Sequence, residues 1–129
     1  MLNELSKEIV ANNRAKGFYD EEDETGKIDI PKRLMLTVSE LSEAMEADRD
    51  NNRAPEEAVN IMIDSFVENG YFDKVVFESS IKNTFEDEIA DSIIRLLDLA
   101  GAMDIDIDWH VRNKLAYNKT RPHKHGRRY

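Results

Sequence analysis

The sequence predicts an all-α protein, a helical bundle of four main helices with a further helix inserted between them. Three observations carry that reading. Apolar residues recur at three- and four-residue spacing along most of the 129 positions. Proline and glycine stand at the edges of these periodic runs rather than inside them. No strand pattern alternates with the helical ones, and the one short β-like run, Val75-Val76-Phe77, has no second run to pair with.

The elements follow in order. Leu2, Leu5, Ile9 and Val10 mark a first helix that stops at Lys16-Gly17. Residues 20–27 are acidic and contain the Thr25-Gly26 turn signal, so they read as an exposed loop. Pro31 suits the first turn of a second helix, in which Leu34, Val38, Leu41 and Met45 form an apolar stripe. That helix frays at Asp50-Asn51-Asn52. Pro55-Glu56-Glu57 opens the inserted helix, with Val59, Ile63, Phe66 and Val67 on one side and Asn69-Gly70 as its stop. Residues 71–78 read as loop or helical turn. From 81 to 103 Phe85, Ile89, Ile93, Leu96, Ala100 and Met103 are expected to face inward, and from 106 to 118 Ile107, Val111 and Leu115. Pro122 ends the last helix.

Composition bounds the function. A chain of 129 residues without an evident linker fits one domain. The absence of cysteine, of a charged-then-apolar leader and of any apolar run near the ~18 residues of a membrane span predicts a soluble, cytoplasmic protein with no membrane partner. A net charge of -9 argues against a nucleic-acid polymer as partner, because phosphate binding needs cations that displace counterions. The charge is uneven. Residues 1–108 carry 11 basic against 27 acidic groups, a balance of -16, whereas residues 109–129 hold seven basic groups and no acid. Such a chain can bind metal and phosphate side by side.

Two carboxylate pairs lie within the helical patterns, Glu40 with Glu43 and Glu88 with Asp91. At about 100° per residue, members of an i,i+3 pair point about 60° apart, so each pair can aim at one point. Glu40 has Leu36 and Ala44 one turn away on either side, an apolar frame in which a bare charge needs compensation. Glu88 borders the arc of Phe85, Ile89 and Ser92, while Asp91 lies further round beside Arg95 and Asp98 and is equally readable as a solvated acid. Four oxygen ligands without cysteine or histidine suit Mg2+, or Mn2+, better than zinc, copper or iron. Mg2+ commonly completes its shell with substrate phosphates, which points to a phosphate compound as partner. On the last helix Lys114, Asn118 and Arg121 fall at i, i+4 and i+7 and form a candidate phosphate clamp. An ordinary solvated face favoured by the helix C-terminal dipole explains them as well. Trp109 is readable as a base-stacking or a packing residue, and His110, His123 and His125 as surface or phosphate-adjacent groups.

Ser39-Glu40-Leu41-Ser42-Glu43, then Glu88-Ile89-Ala90-Asp91, then Lys114 through Asn118 to Arg121-Pro122 with His125-Gly126, together resemble the MazG-like branch of the all-α nucleoside triphosphate pyrophosphohydrolases. Asn13-Arg14-Ala15-Lys16-Gly17-Phe18 is similar to the end of that family's first helix, so the resemblance spans most of the chain. It implies Mg2+ bound by Glu40, Glu43, Glu88 and Asp91, and hydrolysis of a nucleoside triphosphate to monophosphate and pyrophosphate in nucleotide-pool housecleaning. It also implies a homodimer or homotetramer, with Asn13 and Phe18 at the base pocket. Ser39 stands where many relatives carry a third glutamate, which leaves the number of metal ions open, and residues 44–87 are longer than in compact relatives. Glu40 is the expected catalytic base, because its apolar frame should raise its proton affinity most. A non-catalytic nucleotide- or metal-binding helical module is the alternative, and a metal-free helical interaction protein a third.

Overall fold

A computed structural model describes residues 1–128, the side chain of His125 excepted. The described residues are all-helical, without a strand. Seven α-helices run in order: α1 Leu2–Ala15, α2 Asp20–Thr25, α3 Ile30–Arg49, α4 Glu56–Asn69, α5 Lys74–Val76, α6 Phe85–Ala102 and α7 Ile107–Thr120. A π-helical turn, Phe77–Ile81, continues α5, and a short 3-10 turn, His123–Gly126, follows α7. No helix among the described residues is long and apolar enough to cross a membrane. The chain divides into two compact units, one of Met1–Asp29 with Leu97–Tyr129 and one of Ile30–Leu96.

In the first unit, α1 and α7 begin against each other. The Asp108 carboxylate accepts from the backbone N–H of Leu2 at 3.1 Å and of Asn3 at 3.0 Å, satisfying donors that a helix start otherwise leaves open. Asn3 returns the contact, accepting from Asp108 N–H at 3.2 Å and donating to Asp106 at 2.8 Å, and Asp106 in turn caps α7 at Trp109 N–H. Further along, Ser6 donates to the Leu97 carbonyl, and buried Tyr19 donates to Asp98 Oδ1 at 2.7 Å. Gly101 permits this close approach of α1 to α6. A Cβ there would lie 2.6 Å from Ser6 Oγ, 2.7 Å from Val10 Cγ2 and 2.9 Å from the Ser6 carbonyl oxygen. Gly101→Ala is therefore expected to destabilise the protein by about 2–3 kcal/mol, read from urea unfolding, because overpacking here meets backbone. A substitution without effect would show that α1 shifts freely on α6.

Residues 20–27 were expected to be loop, yet 20–25 form α2. Four acids, Asp20 to Asp23, fill its first turn, where the positive end of the helix dipole favours them. Arg14 grips Asp23 through two parallel bonds of 2.9 and 3.0 Å, and Gly26, at φ +71°, closes the helix. The acids and the Thr25-Gly26 turn signal read as solvated loop because the Arg14–Asp23 contact, nine residues apart, is not visible in them.

In the second unit, the chain leaving α3 is tied to the start of α6. Asn52 donates from its side chain to the Asn83 carbonyl and accepts at its own carbonyl from Phe85 N–H, both at 2.9 Å. Ala54 N–H donates to Glu86, and the Arg53 guanidinium lies 4.0 Å above the Phe85 ring. Thr84 and Asp87 cap α6, the threonine accepting from Asp87 N–H and the aspartate from Asn83 N–H.

The buried faces differ from those expected. On α3 the buried residues are Thr37, Glu40, Ala44 and Ala47, and at the start of and along α6 they include Thr84, Glu88 and Ser92. Leu34, Val38, Leu41 and Met45 are 44 to 62% exposed, and Ile93, Leu96, Ile63, Phe66, Val67 and Leu115 are at least half exposed. Ile89, Met103 and Val111 are exposed as well, and Ala100 alone of the inward set on α6 is buried. Small and polar side chains line the inner faces, so the large apolar stripes turn outward on the single chain.

Candidate metal centre

Helical phase assembles the site within the second unit. Thr37, Glu40, Ala44 and Ala47 share one face of α3, at intervals of three and four residues, while Glu88, Ser92 and Arg95 share one face of α6. Glu40 and Glu88 are thereby buried, at 8 and 5% exposure, and Glu43 is exposed. Glu40, Glu43 and Glu88 each offer one carboxylate oxygen, and these three oxygens lie within 4.8 Å of one another. Asp91 is half-buried and stands outside that triad, although its charge acts on both Glu43 and Glu88.

The electrostatics are those of crowded like charges. Burial pushes the Glu88 carboxyl up to about 7, with the charges of Glu43, Asp91 and Glu40 adding to it. Contact with the Glu40 carboxylate raises Glu43, with desolvation and Glu40's charge behind it. Asp91 is raised by burial first and then by Asp87 and Glu40, against a downward pull from Arg95. Glu88 Oε2 is buried and has no hydrogen-bond partner among the described residues. A buried carboxylate oxygen left open beside two further carboxylates is what a cation site requires of its ligands, and the donor set is all oxygen.

No family model, curated protein or solved structure matches this chain.

Glu40 does not sit in the purely apolar frame expected from Leu36 and Ala44. Arg95 reaches it from α6, its Nε donating to Glu40 Oε1 at 2.8 Å and its terminal nitrogen lying 2.8 Å from the same oxygen. Sequence reasoning treated Arg95 only as a neighbour of Asp91. The legible signal was its place seven residues after Glu88, on the same helix face. Asp98, a neighbour of Asp91 in the helical pattern, is buried in the first unit and accepts from Tyr19.

The remaining candidates belong to the first unit. Lys114 and Arg121 lie on α7 and just beyond its end, 5.2 and 5.6 Å from the Tyr117 ring centre, and Asn118 is half-buried next to that residue in sequence. Tyr117, an aromatic between two cations, was not singled out from sequence. It is 55% exposed, and the Lys-x-x-Tyr-x-x-x-Arg spacing was the available sign. Asn13 is half-buried near the end of α1 and its carbonyl accepts from Phe18 N–H at 3.0 Å, while Phe18 is 71% exposed. Trp109 is 56% exposed and meets the His110 ring edge-on at 4.8 Å, so it is not a core residue. The side chain of His125 falls outside the described residues.

Proposed function

We propose that the protein is a Mg2+-dependent hydrolase that converts a nucleoside triphosphate to nucleoside monophosphate and pyrophosphate, in the manner of the MazG-like enzymes that its motifs resemble. The observation that carries this reading is the open, buried Glu88 oxygen beside Glu40 and Glu43. Glu40, Glu43 and Glu88 hold the cation, with Asp91 as the fourth carboxylate of the set. Mg2+, or Mn2+, supplies neutralisation of charge on the phosphate oxygens when bound. Glu40 positions or deprotonates the attacking water. Water adds to the α-phosphorus, the bond from that phosphorus to the α–β bridging oxygen breaks, and pyrophosphate leaves. For the first unit, the resemblance assigns phosphate binding to Lys114, Asn118 and Arg121 and base binding to Asn13 and Phe18. Incubation with a panel of canonical and modified nucleoside triphosphates, with and without Mg2+, tests the reading by detection of monophosphate and pyrophosphate. Tight Mg2+ binding with no product from any of them would favour a non-catalytic module.

The same proposal includes a homodimer or homotetramer. Leu34, Val38, Leu41 and Met45 make an exposed seam along α3, and Ile89, Ile93 and Leu96 make another on α6. Apolar stripes of this regularity mark surfaces that another protein covers, and a second copy brings the same helical seam. Sedimentation is expected to give at least twice the mass of the chain, and Leu41→Glu to reduce it to a monomer. A wild-type monomer at micromolar concentration would remove the oligomer from the proposal.

A further inference from the structure

Arg95 is the one feature of the cluster that the proposed chemistry leaves unused. It is a cation built into a group of carboxylates that would itself bind a cation. Its two contacting nitrogens both approach Glu40 Oε1, so the pair is not the two-oxygen fork that makes arginine–carboxylate contacts strongest. The other oxygen of Glu40 is left out of it. The Arg95 side chain is 41% exposed, whereas that of Glu40 is 11% exposed, so the guanidinium has room to leave and the carboxylate does not. Its own helix carries Asp91 and Glu88 one and two turns before it, and α3 supplies Glu40 and Glu43.

We propose that Arg95 is a resident counter-ion of the carboxylate cluster, holding Glu40 while no divalent cation is bound and turning to a phosphate oxygen of the triphosphate once one is. This rests on the metal-dependent reading above and gives that site a coupling between its two ligands. A divalent cation joining Glu40, Glu43 and Glu88 is repelled by a guanidinium already on Glu40, so Arg95 weakens binding of the metal alone. A triphosphate brings several negative charges to the same place and offers the planar oxygen pairs that guanidinium matches, so Arg95 strengthens binding of the metal and triphosphate together. One side chain therefore makes the two ligands favour each other, and linkage requires the effect to be reciprocal. Glu40 is unmasked when substrate is present.

The test compares wild type with Arg95→Gln and Arg95→Lys by titration calorimetry, first with Mn2+ alone and then with Mn2+ and inorganic tripolyphosphate, a probe that needs no choice of base. Circular dichroism melts check that each variant is folded. Arg95→Gln is expected to bind Mn2+ about 10-fold tighter and the Mn2+–tripolyphosphate pair about 10-fold more weakly, with Arg95→Lys between the two. A purely structural role would move both affinities downward together. That outcome, or no change in either, overturns the proposal while leaving the metal site standing. Failure of wild type and Arg95→Gln alike to bind Mn2+ removes the metal reading and this inference with it. Binding by Arg95→Gln alone supports the inference in its strongest form.

Discussion

Glu40→Gln is expected to keep the fold and to lower pyrophosphate release by at least about 10^3-fold, within the range that loss of a positioned general base produces. The substitution keeps size and shape, and the amide oxygen still accepts from Arg95, so the contact between α3 and α6 in the second unit survives. What it removes is the negative charge, and with it both a metal ligand and the group proposed to position water. The discriminating measurement is single-turnover pyrophosphate release at saturating Mg2+, accompanied by a melt. If release continues undiminished in a folded variant, Glu40 is not the base, and the role passes to another carboxylate of the cluster.

Between pH 8 and pH 5 the metal-free protein is expected to become more stable, and Glu88→Gln to abolish most of that trend. The carboxyl of Glu88 titrates near 7 in the folded chain against 4.5 in the unfolded one. Between those values the folded state keeps a proton that the unfolded state has lost, so the added stability is fully present below pH 4.5 and disappears as pH rises through 7. Its size is on the order of 2–3 kcal/mol. Glu43 and Asp91 are raised too and act in the same direction. Asp23, Glu86, Asp106 and Asp108 are lowered, so what they contribute is lost only below the ordinary carboxylate range, outside this window. Glutamine at 88 is uncharged at every pH and should make the chelated protein more stable at pH 8. In wild type a divalent cation prefers ionised ligands, so adding Mg2+ should stabilise most at high pH and flatten or reverse the slope. Urea unfolding at fixed protein concentration and ionic strength, in chelator and in Mg2+, reads all of this. A chelated wild type whose stability stays flat or rises from pH 5 to pH 8 would contradict it.

The ends of α3, α4 and α7 were legible because local chemistry sets them, whereas α2 was read as loop and α6 begins at Phe85 rather than at 81. Pro31 and Pro55 stand where α3 and α4 begin, Gly70 at φ +60° where α4 ends, and Pro122 just past α7. Glu40, Glu43 and Glu88 could be named because an i,i+3 acid inside a helix pattern is visible in one dimension. The buried face was not legible. Periodicity of Leu34, Val38, Leu41 and Met45 marks one face of the helix without saying that their own chain buries it, and the inner face of α3 is made of Thr37, Ala44 and Ala47, which carry little hydropathic signal. Arg95 was passed over for a related reason. A cation near acids on one helix reads as a local surface pair, and its true partner, Glu40, is 55 residues away.

The outward seams of α3 and α6 carry one last consequence. Where a second copy covers them, folding and association share one equilibrium, and the free energy holding each chain together includes a term in the concentration of its neighbours. Dilution then acts as a denaturant. In such an assembly a melting temperature has meaning only with a concentration beside it.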